Sequence, residues 1–335
     1  MAGIYVTSLE SGAGKTAVAL SLASLLASAG KKTGYVKPGV LGDDASDADT
    51  DVTFAREALG LTESVEALSP RQLKAGGLGE AKAAIVKQWD TVSRGKDVVV
   101  AEGLGASGDA RATSVELADA LDTRVVLVVR YRRAIELAPV TEAAKLYGDR
   151  LAGVLLNAVP EQSLREAREE AAPALAGSGV PVLGIVPEDR MLLGFTVSEY
   201  SERLDGVVMN NGEHAGEIVE SLLVGAMVVD SSTYYYERKE RMALVTRADR
   251  PDLQWNALDA STRCLILTGG TDPIPYVIEK AKEREVPLVV VPQGTLDIIN
   301  AIEGFVTAPT FHHPEKLRRY GQLLRQHADF SGFGL

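Results

Sequence analysis

The stretch Gly3-Ile4-Tyr5-Val6-Thr7-Ser8-Leu9-Glu10-Ser11-Gly12-Ala13-Gly14-Lys15-Thr16 decides how this chain is read. Ile4–Val6 is a short apolar run with a β-branched residue at each end, as a buried strand requires. A glycine loop follows. From Thr16 to Ala27 the chain is rich in Ala, Leu and Ser and free of Gly and Pro, which predicts a helix. A strand, a Gly-x-Gly-Lys-Thr loop and a helix in that order form a phosphate cradle. Backbone N–H groups turn inward, and the helix N-terminus adds partial positive charge. Gly12 and Gly14, on either side of Ala13, supply backbone angles that a side chain forbids. Lys15 is placed to reach terminal phosphates, and the Thr16 hydroxyl to ligate magnesium. Leu9 stands where the usual spacing has a further glycine. Glu10 would repel phosphate, so it is expected to face metal, substrate or solvent.

Working outward, strand-like and helix-like segments alternate to residue 187, which predicts an α/β fold with a doubly wound parallel sheet. In such sheets ligands lie beyond the carboxyl ends of the strands. Four residues there are candidates. Lys37 ends the second strand, with an ordinary surface lysine as the alternative reading. The acidic stretch 42–51 is read as a mobile loop, with Asp49 or Asp51 able to join a magnesium shell. Glu102 ends the strand Val98-Val99-Val100-Ala101, where a carboxylate holds magnesium or orients an attacking group. Asn157 ends the strand 151–157, where an amide suits the donor and acceptor edges of adenine.

The length of 335 residues predicts two domains. A net charge of −11 disfavours nucleic acid or an anionic membrane as a main partner. The single cysteine, Cys264, lies in an apolar run and excludes a disulfide framework. No leader pattern or membrane-length apolar run is present, so the expected location is cytoplasmic.

The second half predicts a smaller α/β unit. Strands are expected at 206–209, 226–229, 243–245, 264–267 and 288–291, and helices at 215–223, 253–258, 275–285, 296–302 and 314–327. Asp249-Arg250-Pro251 and Thr268-Gly269-Gly270 each sit at a strand end before a helix. Side by side they would make a small anion or nucleotide pocket with Arg250 as its charge; simple turns, with Asp249 as a helix cap, are the equal alternative. Trp255 and Tyr234–Tyr236 are read as packing or interface groups.

Residues 1–190 resemble dethiobiotin synthetase, an ATP-dependent carboxylate-activating enzyme. The match lies in Val6-Thr7, Gly12–Thr16, Lys37-Pro38, Val100–Gly103 and Asn157. The resemblance implies ATP and Mg2+ as cofactors, with Lys15 on phosphates and Thr16, Asp51 and Glu102 on magnesium. It implies that Lys37 lies near a substrate carbamate and the γ-phosphate, and that Asn157 contacts adenine. Ser8 and Glu10 stand where that family has glycine and aspartate. Residues 197–310 resemble a DRTGG domain through Asp249-Arg250 and Thr268-Gly269-Gly270. The two in order are similar to the N-terminal regulatory half of long bacterial phosphotransacetylases. The expected domains are thus 1–195 and 196–335, the second carrying the C-terminal helix. The expected function is Mg-ATP binding in a regulatory role toward an acyl-metabolism enzyme, in a homodimer as the resemblance implies. The alternative is a ligase that activates a small carboxylate or carbamate. A partition-type ATPase would carry an early loop lysine, and residues 8–11 have none.

Overall fold

The computed structural model describes residues 2–41, 45–69, 71–73, 78–105, 110–132, 136–225, 234–306 and 309–335. The chain forms two compact units, Met1–Glu188 with Phe311–Leu335, and Asp189–Thr310.

In the first unit, β1 (Ala2–Ser8) runs into the glycine loop and α1 (Lys15–Ser28). α1 ends at Gly30, whose φ of 86° only glycine adopts cheaply, with Lys31 N–H bonded back to Leu26 O at 3.1 Å. β2 (Thr33–Val36), β3 (Gly39–Leu41) and α2 (Ala45–Leu59) follow. The acidic stretch read as loop is therefore helical from Ala45 onward. Aspartates suit the first turns of a helix, where the dipole is positive. A helical turn at Val65–Leu68 comes next. Arg71–Leu73 forms β4, parallel to β3, before α3 (Ala81–Ser93). Glycine is needed at 39, because a Cβ there would lie 2.5 Å from Leu73 Cδ1.

The remaining elements are β5 (Val98–Gly105), α4 (Ala110–Ala120), β6 (Arg124–Arg130), α5 (Leu137–Tyr147), β7 (Leu151–Val159), a helical run at 161–177, and β8 (Val182–Pro187). The sheet order is β2-β5-β1-β6-β7-β8, all parallel. β1 lies between β5 and β6, so the carboxyl ends of these strands converge on the glycine loop. Their buried Val, Ile and Leu residues are what a sheet covered on both faces demands.

The second unit contains β9 (Phe195–Thr196), α6 (Val197–Arg203), β10 (Val207–Val208), β11 (Ile218–Val219) and β12 (Ser221–Val224). The helix expected at 215–223 is thus replaced by two strands. Its Ile-Val and Leu-Leu-Val runs between Gly216 and Gly225 are short and apolar, and β12 completes the sheet beside β13. The strand expected at 226–229 lies outside the described residues. Next come β13 (Met242–Arg247), α7 (Pro251–Leu258), β14 (Thr262–Thr268), α8 (Pro275–Glu283), β15 (Leu288–Val291) and α9 (Thr295–Phe305). The order is β10-β15-β14-β13-β12, with only β10 antiparallel. One apolar cluster lies around Phe195, Tyr200 and Ile298, and another around Ala257, Val277 and Leu288.

α10 (Pro314–His327), read above with the second domain, belongs to the first unit and lies against α1. Gly321 faces Leu25 across this contact, where a Cβ would sit at an ordinary 3.6 Å from Leu25 Cδ2. Beyond α10 the chain bridges to β8 at Gly184, where a Cβ would meet His327 O at 2.3 Å.

Candidate functional site

Gly12 and Gly14 both have positive φ, 70° and 94°. Nothing lies within 4 Å of where a Gly12 Cβ would be, so that side of the loop is open, whereas a Gly14 Cβ would lie 2.4 Å from Asn157 Nδ2. The loop is therefore open above Gly12 and floored beneath Gly14. Asn157 Nδ2 donates to Ala13 O at 2.8 Å, and its Oδ1 accepts from Tyr320 OH at 2.6 Å. The amide expected to meet adenine thus holds the loop through Nδ2 and is itself held through Oδ1 by Tyr320. Burial pushes the Tyr320 phenol well above its ordinary pKa, so it stays a donor.

Lys15 Nζ donates to Ser8 Oγ at 3.2 Å, and Ser8 Oγ donates to Glu10 O at 2.6 Å. Glu10 itself points to Arg132, whose Nη2 is 2.7 Å from Oε2. Arg130 Nη1 donates to Gly12 O at 3.3 Å. Two arginines at the end of β6 thus flank the loop. The carboxyl-end rule applied to β6 was the signal that could have found them.

Thr16 Oγ1 donates to Glu102 Oε1 at 2.8 Å. Glu102 is 2% exposed, and its other oxygen accepts from Tyr35 OH at 2.7 Å. Lys37 Nζ lies 3.3 Å from Glu102 Oε1 and also bonds Asp51 Oδ2. Asp51 Oδ1 is 2.6 Å from His312 Nε2. The fold therefore gathers Thr16, Lys37, Asp51 and Glu102, as the spacing alone could not. Burial opposes the Lys37 charge, but Glu102 and Asp51 outweigh it and raise its pKa above that of an ordinary lysine. Burial would likewise lift Asp51, but the His312 hydrogen bond and Lys37 bring it below the ordinary carboxylate value. Burial and the Glu102 charge push Tyr35 up. Asp49, the other acid considered, has no described side chain.

The Thr16 hydroxyl and the Glu102 and Asp51 carboxylates are hard oxygen donors of the kind magnesium takes. Lys37 now bridges the two carboxylates and would share them with a metal. Among the described residues no cluster of three or more His, Cys, Asp or Glu forms a metal cage. Magnesium sites that borrow phosphate oxygens need few protein ligands, so the donor set fits. Strand geometry is held from below: Tyr5 OH, Thr7 Oγ1 and Tyr147 OH meet Ser114 Oγ at 2.9, 3.2 and 3.0 Å.

In the second unit, Arg247 and Thr268 are register partners, so the Asp249-Arg250 and Thr268-Gly269-Gly270 turns are neighbours. Asp249 does not cap α7. It pairs with Arg247, and Arg250 at the N-cap position grips Asp252, with Nε 2.9 Å and Nη2 2.7 Å from its carboxylate. Thr268 Oγ1 lies 2.7 Å from Thr295 Oγ1. The Gly269 and Gly270 N–H groups donate to Gln293 O and Val291 O at 2.9 and 3.0 Å. Trp255 stacks on Tyr276 at 4.0 Å.

The AAA domain profile matches residues 2–194, well over half of the chain. The chain belongs to the AAA domain family. In this AAA domain protein the DRTGG domain profile matches residues 199–305. Phosphate acetyltransferase of Pseudomonas putida is 26% identical over 332 residues, covering 90% of this chain and 47% of that one. The chain spans about half the length of the phosphate acetyltransferases it matches. ATP-dependent dethiobiotin synthetase BioD of Anaeromyxobacter dehalogenans is 31% identical over 172 residues, covering 47% of this chain and 77% of the relative. Among solved structures, the Aquifex aeolicus MinC:MinD cell division complex is similar at 18% identity and a TM-score of 0.40, covering 58% of this chain and 84% of that one. No described helix is long and apolar enough to cross a membrane.

Proposed function

We propose that this chain is a cytoplasmic Mg-ATP-binding protein with a regulatory role. The observation that carries the reading is the Thr16–Glu102 pair, set beside Lys15 at an open glycine loop. Lys15 and the loop N–H groups would take the β- and γ-phosphates, while Thr16, Glu102 and Asp51 would hold magnesium. Bound magnesium would neutralise phosphate charge. The relation to phosphate acetyltransferases suggests an acyl-metabolism enzyme as the controlled partner, and the dethiobiotin synthetase likeness suggests a homodimer. The turns with Asp249, Arg250, Thr268, Gly269 and Gly270 would form a second, effector-binding site once an anion draws Arg250 from Asp252.

Calorimetric titration of Mg-ATP into the wild type and Lys15→Ala tests this. Affinity should fall at least tenfold in the variant, and Mg-ATP should raise the melting temperature of the wild type more than that of the variant. Equal affinity in both would refute the cradle. A ligase is the second reading, favoured by Lys37 being clasped between two carboxylates beside Thr16. There Lys37 would neutralise the transferred phosphoryl group. A carboxylate substrate should then raise ADP release steeply, and Lys37→Ala should remove that rise while sparing ATP affinity.

A further inference from the structure

Asn157 is 5% exposed and Tyr320 2%. The amide's two bonds specify one orientation between them. Ala13 O only accepts, so nitrogen must face it, and a donating phenol requires oxygen at the other end. With the phenol gone, the amide oxygen would be left buried without its donor and its orientation would be held from one side only. The floor of the loop leaves no slack, because the Gly14 backbone packs directly on Nδ2. Tyr320 is itself fixed, by α10 lying on α1 and by Phe311 edge-on at 6.0 Å. The same segment supplies His312 to Asp51. It therefore meets the site at two places, the floor of the glycine loop and the carboxylate that clasps Lys37.

We propose that residues 311–335 are a positioning element of the phosphate site, with Tyr320 acting through Asn157 to hold the Gly12–Gly14 turn in its phosphate-facing shape. Tyr320 touches no reacting atom and is a positioning residue. Withdrawal of the segment leaves the glycine loop in the chain but removes the brace beneath it. Nucleotide affinity is thereby tied to a stretch that the chain reaches only after leaving the second unit. The proposal deepens the nucleotide reading and rests on it for the affinity measurement alone.

The test uses the full chain as wild type, Tyr320→Phe, Asn157→Ala and the double variant. Hydrogen exchange of the peptide spanning residues 6–18 is followed without nucleotide, well below the melting temperature. Mg-ATP affinity is measured by calorimetry. Tyr320→Phe should speed exchange in the loop several-fold and leave peptides of the second unit unchanged. It should weaken Mg-ATP about tenfold, and the double variant should bind no worse than Asn157→Ala, because one residue acts through the other. Unchanged loop exchange in Tyr320→Phe, or additive losses in the double variant, would overturn the proposal. A wild type without Mg-ATP affinity would overturn the nucleotide reading, and the exchange measurement would still decide the role of Tyr320.

Discussion

Thr16 Oγ1 donates to Glu102 Oε1 at 2.8 Å across a sequence separation of 86 residues. The first residue lies in the opening turn of α1 and the second on β5, and parallel pairing of β1 with β5 brings them together. A hydroxyl and a buried carboxylate thus converge where the glycine loop ends. Most of what the site is expected to do depends on this junction.

Glu102→Gln keeps the shape of this junction and removes its charge. Mg-ATP affinity should lose most of its magnesium dependence, which titrations with and without the metal will show. Stability should fall by about 1–3 kcal/mol, because a buried group then faces Lys37 and two hydroxyl donors with fewer acceptor sites. An unchanged magnesium response would remove Glu102 from the metal shell.

Gly12 and Gly14 should respond differently to alanine. Gly12→Ala meets open space and bears only the cost of a positive φ, about 1 kcal/mol. Gly14→Ala adds a clash with Asn157 Nδ2 and should displace the amide. We expect it to destabilise the chain by about 2 kcal/mol or more in urea unfolding and to abolish Mg-ATP binding. Similar behaviour of the two variants would contradict the floor described above.

Burial pushes the Cys264 thiol up to about 12. The folded pKa lies above the unfolded one, near 8.5–9, so the folded state holds the proton more tightly. This contribution is complete below pH ~8.5 and is lost as pH rises toward the folded value. From pH ~9 upward stability should drop by up to about 1.4 kcal/mol per unit from this group alone. Denaturant midpoints of wild type and Cys264→Ala should therefore converge as pH rises. A constant gap would show that the thiol is not shielded. A thiol reagent at pH 8 should react only as fast as the chain opens.

Arg250 is held by Asp252 at the surface, where water and salt screen an ion pair strongly. Arg250→Ala should therefore change stability little. Asp252→Asn should release the guanidinium and, if the second unit takes anions, strengthen nucleotide binding measured with Lys15→Ala in the background. No gain from Asp252→Asn would leave these turns as structural elements.

Much of this was legible along the chain because it is local. The order strand, glycine loop, helix follows from β-branched residues, two glycines and an Ala-rich run within residues 3–28. The alternation of apolar runs and helices foretold the parallel sheet, and both short motifs of the second unit marked real turns at neighbouring strand ends. Local pattern misled where context outweighed it. The segment 215–223 looked helical, yet it completes a sheet edge, and the aspartates after residue 45 favour a helix start over a loop.

What the amino-acid order determined by itself is the cradle: which residues carry the phosphate-binding types, and that they sit at a strand-to-helix turn. Tertiary structure alone decided what braces it. His312 reaches Asp51 across 261 positions and Tyr320 reaches Asn157 across 163, and neither residue lies in a motif. A side chain's periodicity reports which face it shows to the core. It carries no information about which distant polar atom waits there. That pairing arises only when α10 settles on α1, where buried polar groups must find partners or bear the cost of desolvation.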